Sequence, residues 1–398
     1  MHLGMRNRLL DNAPLLRLVA CMIIGIVIAK YVTLSIPMLP VLAGIVIIAL
    51  LLWKHKYLQS FAILLCFLIM GMYLMQRQMS IPDDSQNISY IDRSKAFFLN
   101  QRSKLLNRFA DNGIDDDAYA VVAAMCLGDK SALTHHIKDT YSVSGASHVL
   151  ALSGLHLGII YMLLSLFLPL RRWPALSQLL IILSVWAFVF LVGMSVSVVR
   201  SAVMLTVYGI LSIGNRDKMS LNALAFTAIV MLMCNPLWLF DVGFQMSFMA
   251  VLAILLFVPL FEDVFPAEYL MEHRWIKRIW GLAVVSCSAQ LGVAPLIAFY
   301  FGRFSTYFLL TNFIVIPAAM VILWLSIVVL LFPSFAYILL YIVQLLNAVL
   351  LRITAMPGAS IDNLHPSVLQ VLLIYVLIFC IYLFIERIKP IMGWRASR

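Results

Sequence analysis

The sequence predicts an all-α, polytopic membrane protein with about twelve membrane helices. Of its 398 residues, 63% are hydrophobic and only 12% are charged, which is about half of the roughly 25% usual in soluble domains. The mean hydropathy is +1.00, and a soluble core of this size could not hide so much apolar surface from water. A soluble enzyme, a disordered chain and a secreted disulfide scaffold are therefore excluded.

Apolar runs recur along the whole chain, and a spanning helix needs about 20 such residues. We predict helices near 15–36, 38–53, 58–75, 146–168, 175–193, 195–213, 219–235, 241–260, 279–300, 306–331, 335–353 and 366–386. The short runs, and those that carry Pro or Gly, are candidates for re-entrant or interfacial helices. The stretch from Ser286 to Pro295 is expected to break at its proline, where non-helical backbone must face protein or water.

The excess of basic residues, 28 Lys and Arg against 18 Asp and Glu, is explained first by cytoplasmic loops, which collect cations. With the N-terminus in the cytoplasm, the segments on that side hold Arg6, Arg8, Arg17, Lys54, Lys56, Arg171, Arg172, Arg216, Lys218, Arg274, Lys277, Arg278, Arg387, Lys389, Arg395 and Arg398. An even number of spans returns the chain to the same side, so we expect both termini in the cytoplasm.

One polar segment, residues 76–118, interrupts the apolar runs on the opposite, outer face. Apolar residues recur at helical spacing from Phe98 to Phe109, which predicts an amphipathic helix lying on the membrane surface. The cations opposite them are Lys95, Arg102, Lys104 and Arg108. A plain connector and a guide for nucleic-acid phosphates both fit this pattern. The run Asp115–Asp117 is interpreted as a helix start, where carboxylates suit the helix dipole.

The most unusual stretch is the polar block from Ser142 to Gly158, which places two histidines, several hydroxyls and glycines at the mouth of an apolar span. Polar groups at membrane depth are costly and face a cavity or another helix. On one continuous helix His148 and His156 would lie about 80° apart. A metal site would need a third ligand, and no nearby Asp, Glu or Cys supplies one. A helix contact and a pore lining both remain open for this block.

Isolated polar residues also occur in the later apolar runs. Arg200 should find a carboxylate or water in the membrane, and Asp241 is its candidate partner. Asp241 and Gln245 share a helix face at a spacing of four residues. With Gln290 and Asn312 these residues describe a helical bundle with a polar interior path.

The sequence contains no pattern typical of an enzyme or a cofactor site. None of the six cysteines belongs to a C-x-x-C pair, so neither a zinc site nor a disulfide framework is indicated. No nucleophile–base pair, P-loop or complete metal set occurs. We therefore predict no catalytic residues, no metal and no cofactor.

Ordered motifs stand out between residues 115 and 360. They are Leu127–Lys130, His148–Gly158, Arg200, Asn235-Pro236, Gly243–Phe248, Ala289-Gln290, Pro295, Phe301–Phe304, Asn312 and Met356–Gly358. In order and spacing they resemble the ComEC competence family, the channel for DNA uptake in natural transformation. The resemblance implies a bacterial inner (plasma) membrane protein that passes one DNA strand into the cytoplasm. It also implies, as partners, single-stranded DNA, the lipid bilayer, a cytoplasmic helicase-like motor, an outer DNA receptor and a separate nuclease.

Two domains found in many members of that family are not recognisable here. Residues 76–118 are too few for a five-stranded OB-type domain. The His-x-His-x-Asp-His motif of the metallo-β-lactamase-like domain is absent, so no nuclease activity is expected. The predicted organisation is a three-helix membrane segment over 1–75, an extracytoplasmic linker over 76–118, a channel domain over 119–390 and a cytoplasmic tail over 391–398.

Three functions are compatible with the sequence. A DNA-translocating channel would line its path with His148, Ser153, Gly154, His156, Arg200, Asp241, Gln245, Gln290 and Asn312. A small-solute secondary transporter would also use broken helices with polar groups at the bilayer midplane. This function predicts a weak internal repeat between the two halves of the sequence, and no convincing repeat is found. A degenerate membrane scaffold would keep the same fold without translocation. The resemblance favours the first.

Overall fold

The structure is a computed structural model that describes residues 13–32, 37–80, 90–168, 172–213 and 221–388. It is 84% helical and 1% strand, which confirms the all-α prediction. The predicted tail and part of the predicted basic set lie outside the described residues. These are 391–398, Arg6, Arg8, Arg171, Arg216, Lys218, Lys389, Arg395 and Arg398.

The helices follow one another with short connections. In chain order they are α1 (Pro14–Tyr31), α2 (Met38–Leu51), α3 (Lys56–Ser80), α4 (Tyr90–Asp111), α5 (Asp116–Leu127), α6 (His135–Val143), α7 (Ser147–Leu150), α8 (Gly154–Phe167) and α9 (Pro174–Leu191). They continue with α10 (Val196–Ile213), α11 (Leu221–Cys234), α12 (Val242–Glu262), α13 (Ala267–Glu272), α14 (Arg274–Phe301), α15 (Phe308–Leu331), α16 (Ala336–Thr354) and α17 (Val368–Ile388). Short 3₁₀ turns cover Leu52–Lys54, Pro236–Phe240 and Pro333–Phe335.

Two short strands pair across the loops that follow α14 and α16. They are β1 (Phe304–Ser305) and β2 (Ser360–Ile361), which run antiparallel. Phe304 lies opposite Ile361, and Ser305 lies opposite Ser360. The pair is too short to be a sheet of its own, and it joins two loops at one end of the helices.

Every predicted apolar run contains a helix, but the helices differ in length. Among the described residues, eight helices are long and apolar enough to cross a membrane. They are α1, α3, α9, α12, α14, α15, α16 and α17. The other predicted positions hold shorter apolar helices, namely α2, α8, residues 196–210 of α10, and α11. The eight long and four shorter helices together agree with the prediction of about twelve membrane helices, some of them short.

The expected break at Pro295 does not occur, because α14 runs through it without interruption. A proline in a membrane helix is tolerated where neighbouring groups satisfy the backbone that it disturbs. Here the hydroxyl of Tyr375 donates to the carbonyl oxygen of Gly292 at 2.8 Å. Gly292 also lies directly against the backbone of Met249 on α12. Pro295 removes the hydrogen bond to the carbonyl oxygen of Leu291, so the contacts of Gly292 show how α12 and α17 pack on this turn and do not replace that bond.

The chain divides into two compact units. The first comprises residues 1–88 and 203–245, and the second comprises 89–202 and 246–398. The boundaries fall inside α10 and α12. The segment boundaries predicted from the sequence stay predictions.

In the first unit α1 and α3 pack backbone to backbone. A side chain at Gly25 would clash with the carbonyl group of Leu68, and one at Gly71 would clash with the carbonyl group of Met22. Small residues allow such close approach of membrane helices, which is stabilised by van der Waals contact rather than by the hydrophobic effect.

In the second unit the core forms around α5. The side chains from Val121 to Met125 are at most 1% exposed, as expected for a helix that is apolar on all sides. It begins at the aspartate run as predicted, with Asp116 and Asp117 in its first turn. It packs against α4, α15 and α16, and Cys126 on α5 lies 3.1 Å from the hydroxyl of Ser326 on α15.

The predicted amphipathic helix is present as α4, but much of its apolar face contacts protein. Leu106 and Phe109 are buried, and Phe98 stacks on Phe190 of α9 with ring centroids 5.6 Å apart. The expectation that this face lies on the membrane is therefore wrong for these three residues. The tight connection to α5 brings α4 back onto the core, where these apolar side chains are removed from water.

Candidate functional site

The polar block forms a break between two helices rather than one continuous span. Helix α7 ends at Leu150, and α8 begins at Gly154. This corrects the single helix predicted over 146–168, and with it the shared helix face of His148 and His156. Non-helical backbone within a membrane domain must be surrounded by protein or line a polar cavity, so the break is the first candidate for a functional site.

Ser153 and His156 explain why the helix begins where it does. The backbone N–H of Ser153 donates to Nδ1 of His156 at 3.3 Å, and the Ser153 hydroxyl oxygen is 3.3 Å from the same nitrogen. This resembles a capping box in which His replaces the usual Glu or Gln, because a side chain in the first turn satisfies the backbone of the cap. His156 is 0% exposed, so it acts here as a buried acceptor that fixes the start of α8.

His148 is engaged elsewhere in the same block. Its Nδ1 lies 3.1 Å from the carbonyl oxygen of Gly145. Gly145 has a φ of +85°, and a Cβ there would lie 2.9 Å from the hydroxyl of Ser305 on β1. Glycine is therefore needed both for the backbone conformation and for the close approach to β1. Within the described ranges no group of three or more His, Cys, Asp or Glu side chains comes together as a metal site.

Arg200 on α10 lies beside the first turn of α8. A Cβ added to Gly154 would lie 3.0 Å from the hydroxyl of Ser201 and 3.8 Å from Nη2 of Arg200. Arg200 is 4% exposed. Its Nη2 donates to Ser201 at 3.0 Å, and its guanidinium carbon is 5.8 Å from the ring centre of Phe248. Among the described residues, Nε and Nη1 of Arg200 have no hydrogen-bond partner.

The charges of this arrangement are unbalanced. A helix N-terminus presents unsatisfied N–H groups and a partial positive charge, and at α8 a buried guanidinium lies next to it. Two positive groups that are buried close together are unfavourable unless an anion binds between them and compensates their charge. Arginine forks and helix N-termini are the groups with which proteins bind phosphate. The arrangement around Arg200 therefore has the chemistry of an anion site.

Asp241 and Gln245 stabilise a helix start in the first unit. Asp241 accepts a hydrogen bond from the backbone N–H of Phe244 at 2.8 Å. The side-chain amide of Gln245 donates to the carbonyl oxygen of Leu239 at 3.0 Å. Both bonds join α12 to the 3₁₀ turn before it. The proposed pairing of Asp241 with Arg200 stays a prediction.

Gln290 and Asn312 lie on α14 and α15, each next to polar residues that sequence reasoning did not select. Ser288 and Thr311 are 0% exposed. Their hydroxyls, and the side-chain oxygen of Asn312, are buried without a partner among the described residues. A hydroxyl in a helix often bonds to its own backbone, so nothing in the residue pattern distinguishes these two. Buried polar groups without partners call for an unseen water, ion or ligand.

The four cations predicted to guide DNA lie along α4 with different surroundings. Lys104 and Arg108 are exposed. Lys95 is in the helix, but its side chain lies outside the described part of the structure. Arg102 instead forms an ion pair with Asp129, at 3.4 Å. Two of the four are thus placed to meet a ligand in solution, and one has a structural partner.

The turn after α5 connects this ion pair to the helix break. Gly128 ends α5 with a φ of +72°, and a Cβ there would lie 2.6 Å from the side chain of Leu152 in the break. Burial by itself would raise the pKa of Asp129, but hydrogen bonds from Ser131 and the charge of Arg102 outweigh it, so the pKa is lowered. Two of the motifs that resemble the ComEC family, Leu127–Lys130 and the polar block, are therefore in contact.

A second arginine, Arg303, is fully paired. It binds Asp139 of α6 at 2.7 Å and Asp362 after β2 at 2.5 Å. The hydrogen bond to Asp139, together with that to Asp362, raises the pKa of Arg303 above its ordinary value. Sequence reasoning missed this cluster, because its three residues come from one helix and two loops that are far apart in the chain and share no local pattern. It joins α6 to the two loops that carry β1 and β2.

The comparisons with known proteins agree on one family. A family profile described as "Competence protein" matches residues 125–388. ComE operon protein 3 of Bacillus subtilis (strain 168) is 29% identical over 238 residues, which are 58% of this chain and 28% of that protein. An uncharacterized protein of Aquifex aeolicus (strain VF5) is 32% identical over 200 residues, 50% of this chain and 45% of that protein. The chain thus spans less than half the length of either relative. No solved structure matches it.

Proposed function

This chain belongs to the competence protein family, and we propose that it forms the membrane channel through which single-stranded DNA enters the cytoplasm during natural transformation. The protein would lie in the bacterial inner membrane. The distribution of basic residues favours cytoplasmic termini, which would place the loops between α3 and α7 on the outer face.

The buried Arg200 beside the N-terminus of α8 supports this proposal most directly. A DNA strand carries one phosphate per nucleotide, and an arginine with two unpartnered nitrogens offers charge-assisted hydrogen bonds to it. A positive constriction of this kind also opposes the passage of cations. The local charge therefore favours an anionic substrate, as expected for a channel that conducts DNA across an energised membrane.

The other residues of the break would position this arginine. Ser153 and His156 hold the first turn of α8, and Gly154 leaves the space that Arg200 occupies. Gln290 and Asn312, with the buried hydroxyls near them, would extend the polar path along α14 and α15. None of these groups needs to be catalytic, since they only have to replace water around a moving strand.

Additional proteins would complete the process. The exposed Lys104 and Arg108 on α4 would receive the strand from an outer DNA receptor by electrostatic attraction. A cytoplasmic helicase-like motor would supply the energy, and a separate nuclease would degrade the other strand. These partners are proposals from the family to which the chain belongs.

The decisive experiment replaces Arg200 by Gln in a naturally transformable host. The gene is deleted and complemented with wild type, Arg200→Gln or Arg352→Gln, and transformants are counted at measured membrane levels of each protein. Deletion is expected to abolish transformation. Arg200→Gln should lower it about 10- to 100-fold, the equivalent of ~1.5–3 kcal/mol for a charge-assisted hydrogen bond. Arg352 is an exposed arginine at the end of α16, so its variant is the matched control.

Two outcomes would contradict the proposal. Normal transformation after deletion, in a host without a second family member, would show that the chain does not conduct the DNA. An Arg200→Gln variant that transforms like the Arg352→Gln control would instead point to a scaffold that has kept the fold. A small-solute transporter would be recognised by uptake of a solute into liposomes that contain only this protein.

A further inference from the structure

A cavity of about 720 Å³ opens at the first turns of α14. Three cations line it, Arg274, Lys277 and Arg278, and its lining residues include no carboxylate. Each of the three is exposed. The cavity is therefore a concentrated positive site, separate from the break around Arg200.

The same cavity continues along α14 as an apolar groove. Gly281, Leu282 and Val285 follow the cations at spacings of three and four residues, so they lie on the same face of the helix. Leu270 and Met271 of α13 form the opposite wall. The site is thus amphipathic, with charge at one end and apolar side chains at the other.

Aromatic contacts hold α13 in the position that makes it a wall. Phe265, just before α13, meets Trp280 of α14 edge to face with ring centroids 4.9 Å apart. It also stacks on Tyr269 at 6.1 Å, and Tyr269 stacks on His273 at 4.5 Å. Because these rings connect α13 to α14 on both sides of the turn, the groove is a built feature and not a chance gap between mobile helices.

The depth of the groove corresponds to one leaflet of a bilayer. From Arg274 to Val285 the helix rises about 16 Å, and half of a hydrocarbon core is about 15 Å. Trp275, which is 74% exposed, lies at the charged end, where tryptophan commonly marks the membrane interface. Arg278 lies with its guanidinium carbon 5.4 Å from the centre of that ring. The predicted topology places this end on the cytoplasmic side.

We propose that the groove binds an anionic phospholipid of the inner leaflet. The phosphate would lie among Arg274, Lys277 and Arg278, and one acyl chain would run over Gly281 towards Val285. Basic pockets beside membrane helices on the cytoplasmic side are suited to such head groups. A nucleic-acid strand would use the cations but would have no use for an apolar groove that points into the bilayer. The inference depends on membrane insertion and not on DNA transport.

The test measures lipid binding to the full-length protein in detergent by native mass spectrometry. Phosphatidylglycerol and phosphatidylcholine with identical acyl chains are titrated separately, and phosphatidylglycerol is expected to bind more tightly. Each of Arg274→Gln, Lys277→Gln and Arg278→Gln should weaken that binding about fivefold, the equivalent of ~1 kcal/mol per cation. The triple variant should lose the preference for phosphatidylglycerol.

A matched charge control removes three cations that do not line the groove. Lys54→Gln, Lys56→Gln and Arg387→Gln together lower the net charge by the same amount and should leave binding unchanged. If this control weakens binding as much as the triple groove variant does, the attraction is general and the proposed site is wrong.

The second variant, Gly281→Leu, fills the groove without changing any charge. A Cβ at Gly281 meets nothing within 4 Å, so the protein is expected to fold normally while the path of the acyl chain is blocked. Binding of phosphatidylglycerol should fall at least fivefold. Wild-type affinity in this variant would overturn the proposal.

Discussion

Arg200 and Arg303 occur in the same unit, and each belongs to one of the motifs that resemble the ComEC family. Their surroundings differ in burial and in charge. Arg303 binds two carboxylates, and 28% of its side chain is exposed. Arg200 is 4% exposed and has a serine and an aromatic ring as its neighbours. The two ion pairs of Arg303 connect parts of the chain that are far apart in sequence. A buried arginine that pairs with no carboxylate among the described residues is poorly explained by stability and well explained by a ligand.

The difference has an energetic consequence that can be measured. Replacing one partner of an ion pair leaves the other charge without compensation, which is destabilising. Replacing a buried charge that has no carboxylate partner removes a desolvation penalty and leaves no opposite charge uncompensated. Loss of the charge should therefore lower stability at Arg303 with little effect on function, and lower function without lowering stability at Arg200.

The largest effect is expected from Arg200→Met. Methionine fills a similar volume without a charge, so the unfolding temperature of the detergent-solubilised protein should stay the same or rise. Transformation should fall at least as far as in Arg200→Gln, because both variants lose the hydrogen-bonding cation. Thermal unfolding and transformation frequency are measured on the same variant. A clear loss of thermal stability would show that Arg200 is structural, and the contrast with Arg303 would disappear.

The next effect is expected from Gly154→Ala. Its new methyl group would lie 3.0 Å from the hydroxyl of Ser201, so it must shift either the start of α8 or Ser201, which accepts the hydrogen bond from Arg200. Overpacking of this kind costs about 1–3 kcal/mol, and we expect transformation to drop about tenfold at normal protein level. Gly158→Ala, where a methyl group meets nothing within 4 Å, is the control in the same helix. Equal transformation by both variants would contradict the close packing of α8 on α10.

A smaller effect is expected at the paired arginine. Arg303→Gln should lower the stability of the protein by about 1 kcal/mol, since its partners are largely exposed and such ion pairs contribute little each. Transformation per protein molecule should stay close to wild type. In a double-mutant cycle, Asp139→Asn should cost much less in the Arg303→Gln background than alone. Additive losses would mean that the two side chains do not interact.

The smallest effect is a pH dependence from Asp129. Its pKa in the folded protein is lower than the ordinary value of 3.8, so its ionised form contributes stability that is present above that pH. The contribution is lost as the pH falls through the lowered pKa, and for this partly exposed pair it should stay below about 1 kcal/mol. Thermal unfolding is compared from pH 6 to pH 3 for wild type and Asp129→Asn, with the exposed Asp115→Asn as control. If Asp129→Asn loses stability in acid as steeply as the wild type does, Asp129 is not the source of the pH dependence.

The positions of the helices could be predicted from the sequence, because apolar runs in a membrane protein leave few alternatives to a helix. The two errors were local. The break before Gly154 was missed because residues 149–152 are apolar and the signal for the break is a hydrogen bond from the backbone N–H of Ser153 to the side chain of His156. The break at Pro295 was predicted wrongly because a proline does not have to interrupt a membrane helix when neighbouring helices pack around the turn.

The candidate site was predicted in part. Ser153, Gly154, His156 and Arg200 were selected as costly polar or small residues in apolar runs, and the structure brings them together. Their close neighbours Ser201 and Phe248 were not selected, since a serine or a phenylalanine in a membrane helix is common. The pairing of Arg303 depends on loops far apart in the chain, so no spacing in the sequence could indicate it.

The burial of α5 has a consequence for the order in which the protein assembles. Its partners α15 and α16 begin roughly 180 residues after it ends, and at about 5–20 residues per second their synthesis follows roughly 10 to 40 s later. Until then this short apolar helix must wait with its faces uncovered, against lipid, the insertion machinery or a chaperone. We expect α5 to become protected from hydrogen exchange only after α15 and α16 have been made, although it is among the first helices of the second unit to be synthesised.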